Sequence, residues 1–279
     1  MTKTIILTGA SDGIGAAAAR KLVAHGHNVA LVGRSRQKTE TLAKQLRADH
    51  FIADFTKFDD VRKLADALHN AYTRIDVLVN NAGGIFGDTA RTVDGFEKTL
   101  QVNHLAPFLL TNLLMDTLTA SNASVVNTSS VGARIFGNID IDDLNNDKKY
   151  SPNKAYGDAK LANILFAKEL DRRYSRDGIS AAAFHPGNVR TNFASDTTSM
   201  MRVMYRTPLG RLMGMISPEK GAEPLVWLTE GIPGTDWVSG EYYEKNKVAK
   251  TNPQASDADL AAKLWNKSAD MVGLPTTAQ

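Results

Sequence analysis

Apolar residues in this chain come in short β-branched runs separated by longer stretches with helical spacing, and the two kinds alternate along its length. Thr4 to Thr8 reads as a strand ending at a Gly-rich turn, and Ile14 to Ala24 as a helix whose Ala-rich faces suit close packing. The unit repeats as Asn28 to Val32 (strand), Gln37 to Leu46 (helix), Phe51 to Ala53 (strand), Val61 to Thr73 (helix) and Asp76 to Val79 (strand). Val93 to Leu118 predicts one long or bent helical region, and Ser124 to Thr128 a fifth strand. Residues 132–150 break the rhythm with Gly, Asn and Asp. Ser151 and Pro152 then stand where an N-cap and a first helical residue belong, opening a helix expected to run through Tyr174. Ser180 to Phe184 is expected as a sixth strand and Val238 to Tyr243 as a seventh. Helices are expected from Ser217-Pro218-Glu219 and over Asp257 to Met271.

Short strands alternating with amphipathic helices imply parallel pairing, because each connection must cross a sheet face to reach the next strand. A doubly wound α/β fold with a predominantly parallel sheet and helices on both faces follows. No internal repeat or low-complexity linker divides the chain, so residues 1–279 are read as one domain, with an inserted loop at 132–150. Met200 to Ile216 is Met-rich, and methionine adapts to irregular apolar surfaces, so 195–217 is expected to act as a substrate lid.

Composition narrows the chemistry. The chain has no Cys, which removes disulfides, thiolate nucleophiles and Cys-based metal sites. Its net charge of +3 is spread among mixed charges, with no dense basic tract, so nucleic acid is not expected as a partner. The first apolar run begins within a few residues of Met1, leaving no room for a secretory h-region, and no stretch reaches the roughly 18 apolar residues of a membrane span. A cytoplasmic protein without a membrane anchor is expected.

Thr8-Gly9-Ala10-Ser11-Asp12-Gly13-Ile14-Gly15 joins the first strand to the first helix. Glycine lets the backbone approach a pyrophosphate, and the helix that follows offers free N–H groups and a positive dipole end. The spacing is G-x-x-x-G-x-G and not G-x-G-x-x-G, but strand, glycines and helix occur in the order a dinucleotide site requires. Gly9, Ser11, Asp12, Gly13, Ile14 and Gly15 are therefore cofactor-binding candidates, with Asp12 expected to face solvent or cap the helix. An NAD site commonly carries a carboxylate about 20 residues past the glycines. Here the second strand ends Val32-Gly33-Arg34-Ser35, where Gly33 supplies none and Arg34 can pair with a 2′-phosphate. NADP(H) is the expected cofactor, with NAD(H) left open.

Tyr156 and Lys160 are four residues apart, on one face of the predicted helix. A nearby ammonium favours the Tyr156 phenolate, so this hydroxyl is a candidate general acid and base. Ser130 follows the fifth strand and could hold a carbonyl oxygen by donating a hydrogen bond. The carboxyl ends of parallel strands are where ligands bind in this architecture.

The ordered set of Thr8 to Gly15, Asn80-Asn81-Ala82-Gly83, Asn103, Ser130, Tyr156-Gly157-Asp158-Ala159-Lys160 and Pro186-Gly187 resembles the short-chain dehydrogenase/reductase family over roughly residues 3 to 245. The resemblance implies a seven-stranded Rossmann sheet and assigns Asn103, Ser130, Tyr156 and Lys160 to catalysis, with Asn103 at a backbone bend connecting Lys160 to solvent. It implies that Asp54 lies near the adenine, that Asn81, Ala82 and Gly83 line the inner ribose, and that Pro186, Gly187, Val189 and Thr191 meet the nicotinamide, with Tyr156 and Lys160 also touching the cofactor. Family members pair through helices represented here by residues 93–118 and 151–174, which admits a homodimer or homotetramer. Asp142-Asp143-Leu144-Asn145, Lys149-Tyr150 and Lys160 to Phe166 are similar to the retinol dehydrogenase-like branch. Ser130 and Tyr156 stand about twice as far apart as is usual in the family, so the insertion between them is expected to shape the substrate mouth.

The expected function is interconversion of a carbonyl and an alcohol on an apolar small molecule. The alternatives are an inactive dinucleotide-sensing protein and a double-bond reductase or epimerase on the same scaffold. His185 is expected to be a satisfied structural histidine, and no metal is assigned.

Overall fold

The computed structural model describes residues 1–87, 91–189 and 215–275. Its first half runs β1 (Thr4–Thr8), α1 (Gly13–Ala24), β2 (Asn28–Gly33), α2 (Arg36–Leu46), β3 (His50–Ile52), α3 (Phe58–Ala71) and β4 (Val77–Asn80). Then come α4 (Lys98–Leu100), a π-helical turn (Gln101–Leu105), α5 (Ala106–Leu113), α6 (Met115–Ala120), β5 (Ser124–Thr128), α7 (Gly132–Phe136), α8 (Pro152–Tyr174) and β6 (Ser180–His185). Helices Pro218–Gly221 and Glu223–Glu230, strands β7 (Tyr242–Glu244) and β8 (Lys247–Val248), and helix Ala258–Met271 follow.

The strands form one sheet in the order β3-β2-β1-β4-β5-β6-β7-β8. Every pairing is parallel except β7 with β8. Among the described residues the expected seven strands become eight, because Lys245 and Asn246 both take positive φ (53° and 60°), turning the chain back into a two-residue hairpin. The seventh strand also starts later than Val238. Val238 is exposed, Gly240 turns with φ 78°, and the Tyr243 hydroxyl bonds the Val238 N–H and carbonyl, so pairing with β6 begins at Tyr242.

Residue alternation fills two cores. Ile5, Leu7, Val126 and Phe184 point toward Ala18 and Leu22 of α1 and toward Leu225 and Leu228. Ile6, Leu78, Val125 and Ala183 point the other way, toward Leu64 and Leu68 of α3, Phe108 of α5, Leu161 and Leu165 of α8, and Trp265. Buried on both faces, these strands read as continuous apolar runs, as central parallel strands do.

The region from Val93 to Leu118 is not helical at its start. Arg91 bridges Glu97, and the Glu97 carboxylate accepts from the Thr99 and Leu100 amides at 2.8 and 2.6 Å, so the helix opens at Lys98. A second break falls at Leu114 (ψ 2°). The inserted segment begins with α7 and is tied down throughout. Asn252 donates to the Ala133 and Gly137 carbonyls, Gln254 exchanges two hydrogen bonds with the Ile139 backbone, and Asp158 of α8 accepts from the Asn138 amide. Among the described residues no helix is long and apolar enough to cross a membrane.

Candidate active site

Parallel strands deliver the loops at their carboxyl ends to one edge of the sheet. There the loops after β1, β2, β3, β4, β5 and β6 enclose a cavity of about 470 Å³. Gly9, Ser11, Asp12, Gly13, Ile14, Gly15, Arg34, Asp54, Asn81, Ala82, Gly83, Ser130, Tyr156, Lys160, Pro186, Gly187 and Val189 all line it. Thr191 and positions 195–214 of the expected lid lie outside the described residues.

The first loop is drawn tight. A Cβ on Gly15 would stand 2.1 Å from the Gly9 carbonyl oxygen, so only glycine lets α1 start this close to β1. Asp12 caps α1, its Oδ1 accepting from the Gly13 amide at 2.8 Å while Oδ2 pairs with Lys38 Nζ at 2.6 Å. Its charge is thus partly neutralised at the cavity rim. Ser35 caps α2, and Arg34, exposed, lines the same cavity. Asp54 holds the loop after β3 by accepting from the Thr56 amide and hydroxyl at 3.0 and 2.9 Å. Asn81 fastens three strand ends, donating to the Thr8 carbonyl at 2.9 Å and accepting from the Thr128 hydroxyl at 3.3 Å. A glycine-lined helix start, basic groups beside it and anchored polar loops fit an extended anionic dinucleotide.

Tyr156 and Lys160 project from the buried face of α8, as their spacing predicts. Lys160 is 2% exposed, and its Nζ donates to the Thr128 carbonyl at 3.1 Å and stands 5.7 Å from the centre of the Tyr156 ring. Burial pushes its pKa down to about 7. Ser130 accepts from the Gly132 amide at 3.1 Å. A Cβ on Gly132 would lie 3.0 Å from the Tyr156 ring and 3.4 Å from Ser130 Oγ, so the two hydroxyl-bearing residues flank one glycine. Neighbouring Ser129 donates to the Lys160 carbonyl at 2.7 Å and ties β5 to α8.

Asn103 is fully buried in the π-helical turn. Its Nδ2 donates to the Gly84 and Thr99 carbonyls at 2.9 and 2.8 Å, and its Oδ1 accepts from the Gly84 amide at 3.1 Å. A Cβ on Gly83 would meet Asn103 Oδ1 at 2.4 Å and Lys160 Nζ at 3.2 Å, so the two side chains converge on that glycine.

Several residues at the site are not assigned to it by the sequence. Asn163, one helical turn after Lys160, donates to the same Thr128 carbonyl at 3.1 Å. Ile85, Phe86, Ile135, Phe136 and Asn153 add wall to the cavity. His185 differs from expectation: it is 6% exposed, it lines the cavity, and its buried Nδ1 has no hydrogen-bond partner among the described residues.

Residues 3–202 match the family model described as short chain dehydrogenase. The chain belongs to that family. It is 41% identical to a Streptomyces sp. (strain C5) protein provisionally assigned as the daunorubicin C-13 ketoreductase DnrU, over 97% of this chain and 93% of that one. It is 39% identical to human retinol dehydrogenase 13, over 98% of this chain and 85% of the relative. Among solved structures, an uncharacterized protein from Mycobacterium paratuberculosis matches with a TM-score of 0.79 at 31% identity, covering 98% of this chain and 95% of that one. The protein is therefore an oxidoreductase of the short-chain type, like the ketoreductases and retinol dehydrogenases, on a fold that binds a nicotinamide dinucleotide.

Proposed function

We propose that this chain interconverts a carbonyl and an alcohol on an apolar small molecule, with NADP(H) as its preferred cofactor and Tyr156 as general acid and base. The observation that carries the reading is the convergence of Ser130, Tyr156 and Lys160, with Asn103 behind them, at the carboxyl end of β5. An inactive dinucleotide sensor would have no use for a buried amine beside a tyrosine ring.

When bound, the dinucleotide supplies or accepts the hydride. Ser130 donates a hydrogen bond to the carbonyl oxygen and fixes its direction. Tyr156 gives its hydroxyl proton to that oxygen in reduction and removes it in oxidation. The Lys160 ammonium stabilises the phenolate left behind, an effect strengthened by its burial. Asn103 holds the Gly84 backbone, next to the glycine, Gly83, on which Asn103 and Lys160 converge.

Gly15 and its neighbours would hold the pyrophosphate at the start of α1, with Asp54 toward the adenine and Pro186, Gly187 and Val189 at the nicotinamide, where the family resemblance also puts Thr191. Arg34, beside the carboxylate-free Gly33, takes the 2′-phosphate through its guanidinium fork. The cytoplasm is the working compartment on this reading, which fractionation of the producing cells would check.

The deciding experiment incubates the protein with aldehydes, ketones, steroids and retinoids, each with NADPH and with NADH, and identifies the products. Alcohols formed faster with NADPH are expected. Turnover confined to carbon–carbon double bonds or to epimerisation, or no turnover across the panel, overturns the assignment.

A further inference from the structure

His185 is the last residue of β6, and among the described residues its ring makes no hydrogen bond. The strand pairing puts it on the α8 side of the sheet, because Ala181 and Ala183 of the same strand pack into that core while Ala182 and Phe184 pack into the other. The ring is almost completely enclosed, yet the residue lines the cavity, so the little surface it keeps opens there. Neither ring nitrogen has a hydrogen-bond partner among the described residues; Nδ1 is fully buried while Nε2 is not, so the polar surface the ring keeps is that of Nε2. Burial lowers its pKa, opposed by Glu244 and reinforced by Arg134, so the imidazole carries no charge near neutral pH. Polar groups enclosed in folded proteins are nearly always paired, and an imidazole whose Nε2 is left unpaired at a cavity wall is a place for a ligand's hydrogen bond.

Its position relative to the reacting centre follows from the sheet. Thr128 of β5 is in register with Phe184 of β6, and the Ser129 amide donates to the Phe184 carbonyl at 2.7 Å. His185 therefore stands beside Ser129, one strand spacing of about 4.8 Å across and one residue before Ser130. A substrate whose carbonyl oxygen sits between Ser130 and Tyr156 would bring to His185 only a group attached within a few bonds of that carbonyl. Val131, Ile135, Phe136, Ile85 and Phe86 give the same cavity apolar wall, with the polar Asn153 and Asn188 also lining it.

Resting on the carbonyl–alcohol reading above, we propose that His185 is a specificity-determining residue that hydrogen-bonds a second polar group of the substrate. The substrates preferred by this enzyme are then apolar ketones bearing a hydroxyl or second carbonyl close to the reacting one, such as hydroxy ketones and diketones. A residue that merely filled space at the end of β6 would not discriminate between such a ketone and its counterpart lacking the second oxygen.

The test compares propiophenone with 1-phenylpropane-1,2-dione and 2-hydroxy-1-phenylpropan-1-one, using the wild-type chain, His185→Phe and His185→Gln with saturating NADPH. The wild-type protein should favour the two-oxygen substrates. His185→Phe should cut that preference, measured as the ratio of kcat/KM values, by about tenfold or more, mainly through KM. His185→Gln, which keeps a donor and an acceptor, should restore much of it. Taking ratios removes the difference in intrinsic reactivity among the ketones and any general loss from altered packing.

A second arm uses Tyr156→Phe, alone and combined with His185→Phe, and measures binding of the hydroxy ketone by calorimetry in the presence of NADPH. Weaker binding by about tenfold in the double variant supports the contact even if turnover proves absent. An unchanged substrate ratio, or hydroxy ketone binding equal in the single and double variants, overturns the role of His185. A loss confined to NADPH affinity also overturns it, by placing the imidazole against the cofactor. Absence of turnover in the wild-type protein on every ketone, with the binding difference intact, would instead defeat the carbonyl–alcohol reading.

Discussion

Lys160 Nζ lies 5.7 Å from the centre of the Tyr156 ring and is held there by the Thr128 carbonyl at 3.1 Å. The amine therefore acts at a fixed position and not as a swinging surface charge. Replacing Tyr156 with Phe keeps the ring that packs against Gly132 and removes only the proton-carrying oxygen. Turnover should fall by about 10²–10⁴, the usual share of general acid–base catalysis. NADPH affinity, measured by fluorescence titration, should change little. A Tyr156→Phe enzyme with wild-type turnover would remove Tyr156 from the mechanism.

Lys160 should be a cost to the fold. Its pKa falls from the ordinary 10.5 to about 7 through burial, so between those values the unfolded chain binds more protons than the folded one. Stability must then rise with pH across that window, and the penalty is fully present below about pH 7. Lys160→Met removes the amine and nearly fills its volume, while Asn163 keeps the Thr128 carbonyl bonded. The variant should be inactive but more stable than wild type in urea at pH 6, with the gap narrowing toward pH 10. A variant less stable than wild type at pH 6 would contradict this.

Cofactor choice should rest on Arg34. A well-formed guanidinium–phosphate contact contributes about 1.5–3 kcal/mol, so Arg34→Ala should cost roughly 10- to 100-fold in kcat/KM with NADPH. The effect with NADH should be much smaller. Equal losses with both cofactors would mean that Arg34 supports the loop and does not read the phosphate.

Gly83 lies between Asn103 and Lys160. A methyl group there would meet Asn103 Oδ1 at 2.4 Å, and that carboxamide already has all three of its backbone hydrogen bonds to lose. Gly83→Ala should destabilise the fold by about 1–3 kcal/mol in chemical denaturation and depress kcat more than KM. Wild-type stability and kcat together would show that Asn103 can give way without consequence.

Much of this site was readable because parallel α/β architecture imposes a strict alternation. Ile5 to Leu7, Val29 to Val32 and Val125 to Val126 are buried on both faces and announce themselves as strands. Tyr156 and Lys160 needed only a helix to share a face. What escaped depended on side chains overriding local preference. Glu97 caps a helix five residues inside the expected one, and Lys245-Asn246 makes a hairpin turn without the glycine that normally marks it. The π-helical turn around Asn103 gives no periodic signature, since it perturbs a helix for a single turn. Whether the His185 nitrogens find partners is equally illegible, because it depends on distant strands and helices, which spacing along the chain does not encode.

Ile135 and Phe136 carry the last prediction. They are 60% and 43% exposed, although both belong to a helix that Asn252 fastens at Ala133 and Gly137, with Asp158 and Gln254 fastening Asn138 and Ile139 just after it. Apolar side chains displayed on a fixed element at a cavity mouth fit contact with an apolar substrate. Because they are poorly buried in the free protein, replacing either with Ser should alter stability by no more than about 0.5 kcal/mol. Covering each by a ligand removes apolar area worth about 1 kcal/mol or more at roughly 25 cal/mol per Å². The double variant Ile135→Ser, Phe136→Ser should therefore raise KM for a bulky ketone by tenfold or more, with a much smaller change for acetone and none in NADPH affinity. An equal rise for both ketones would place these two residues outside the substrate's path and return the inserted segment to a purely structural role.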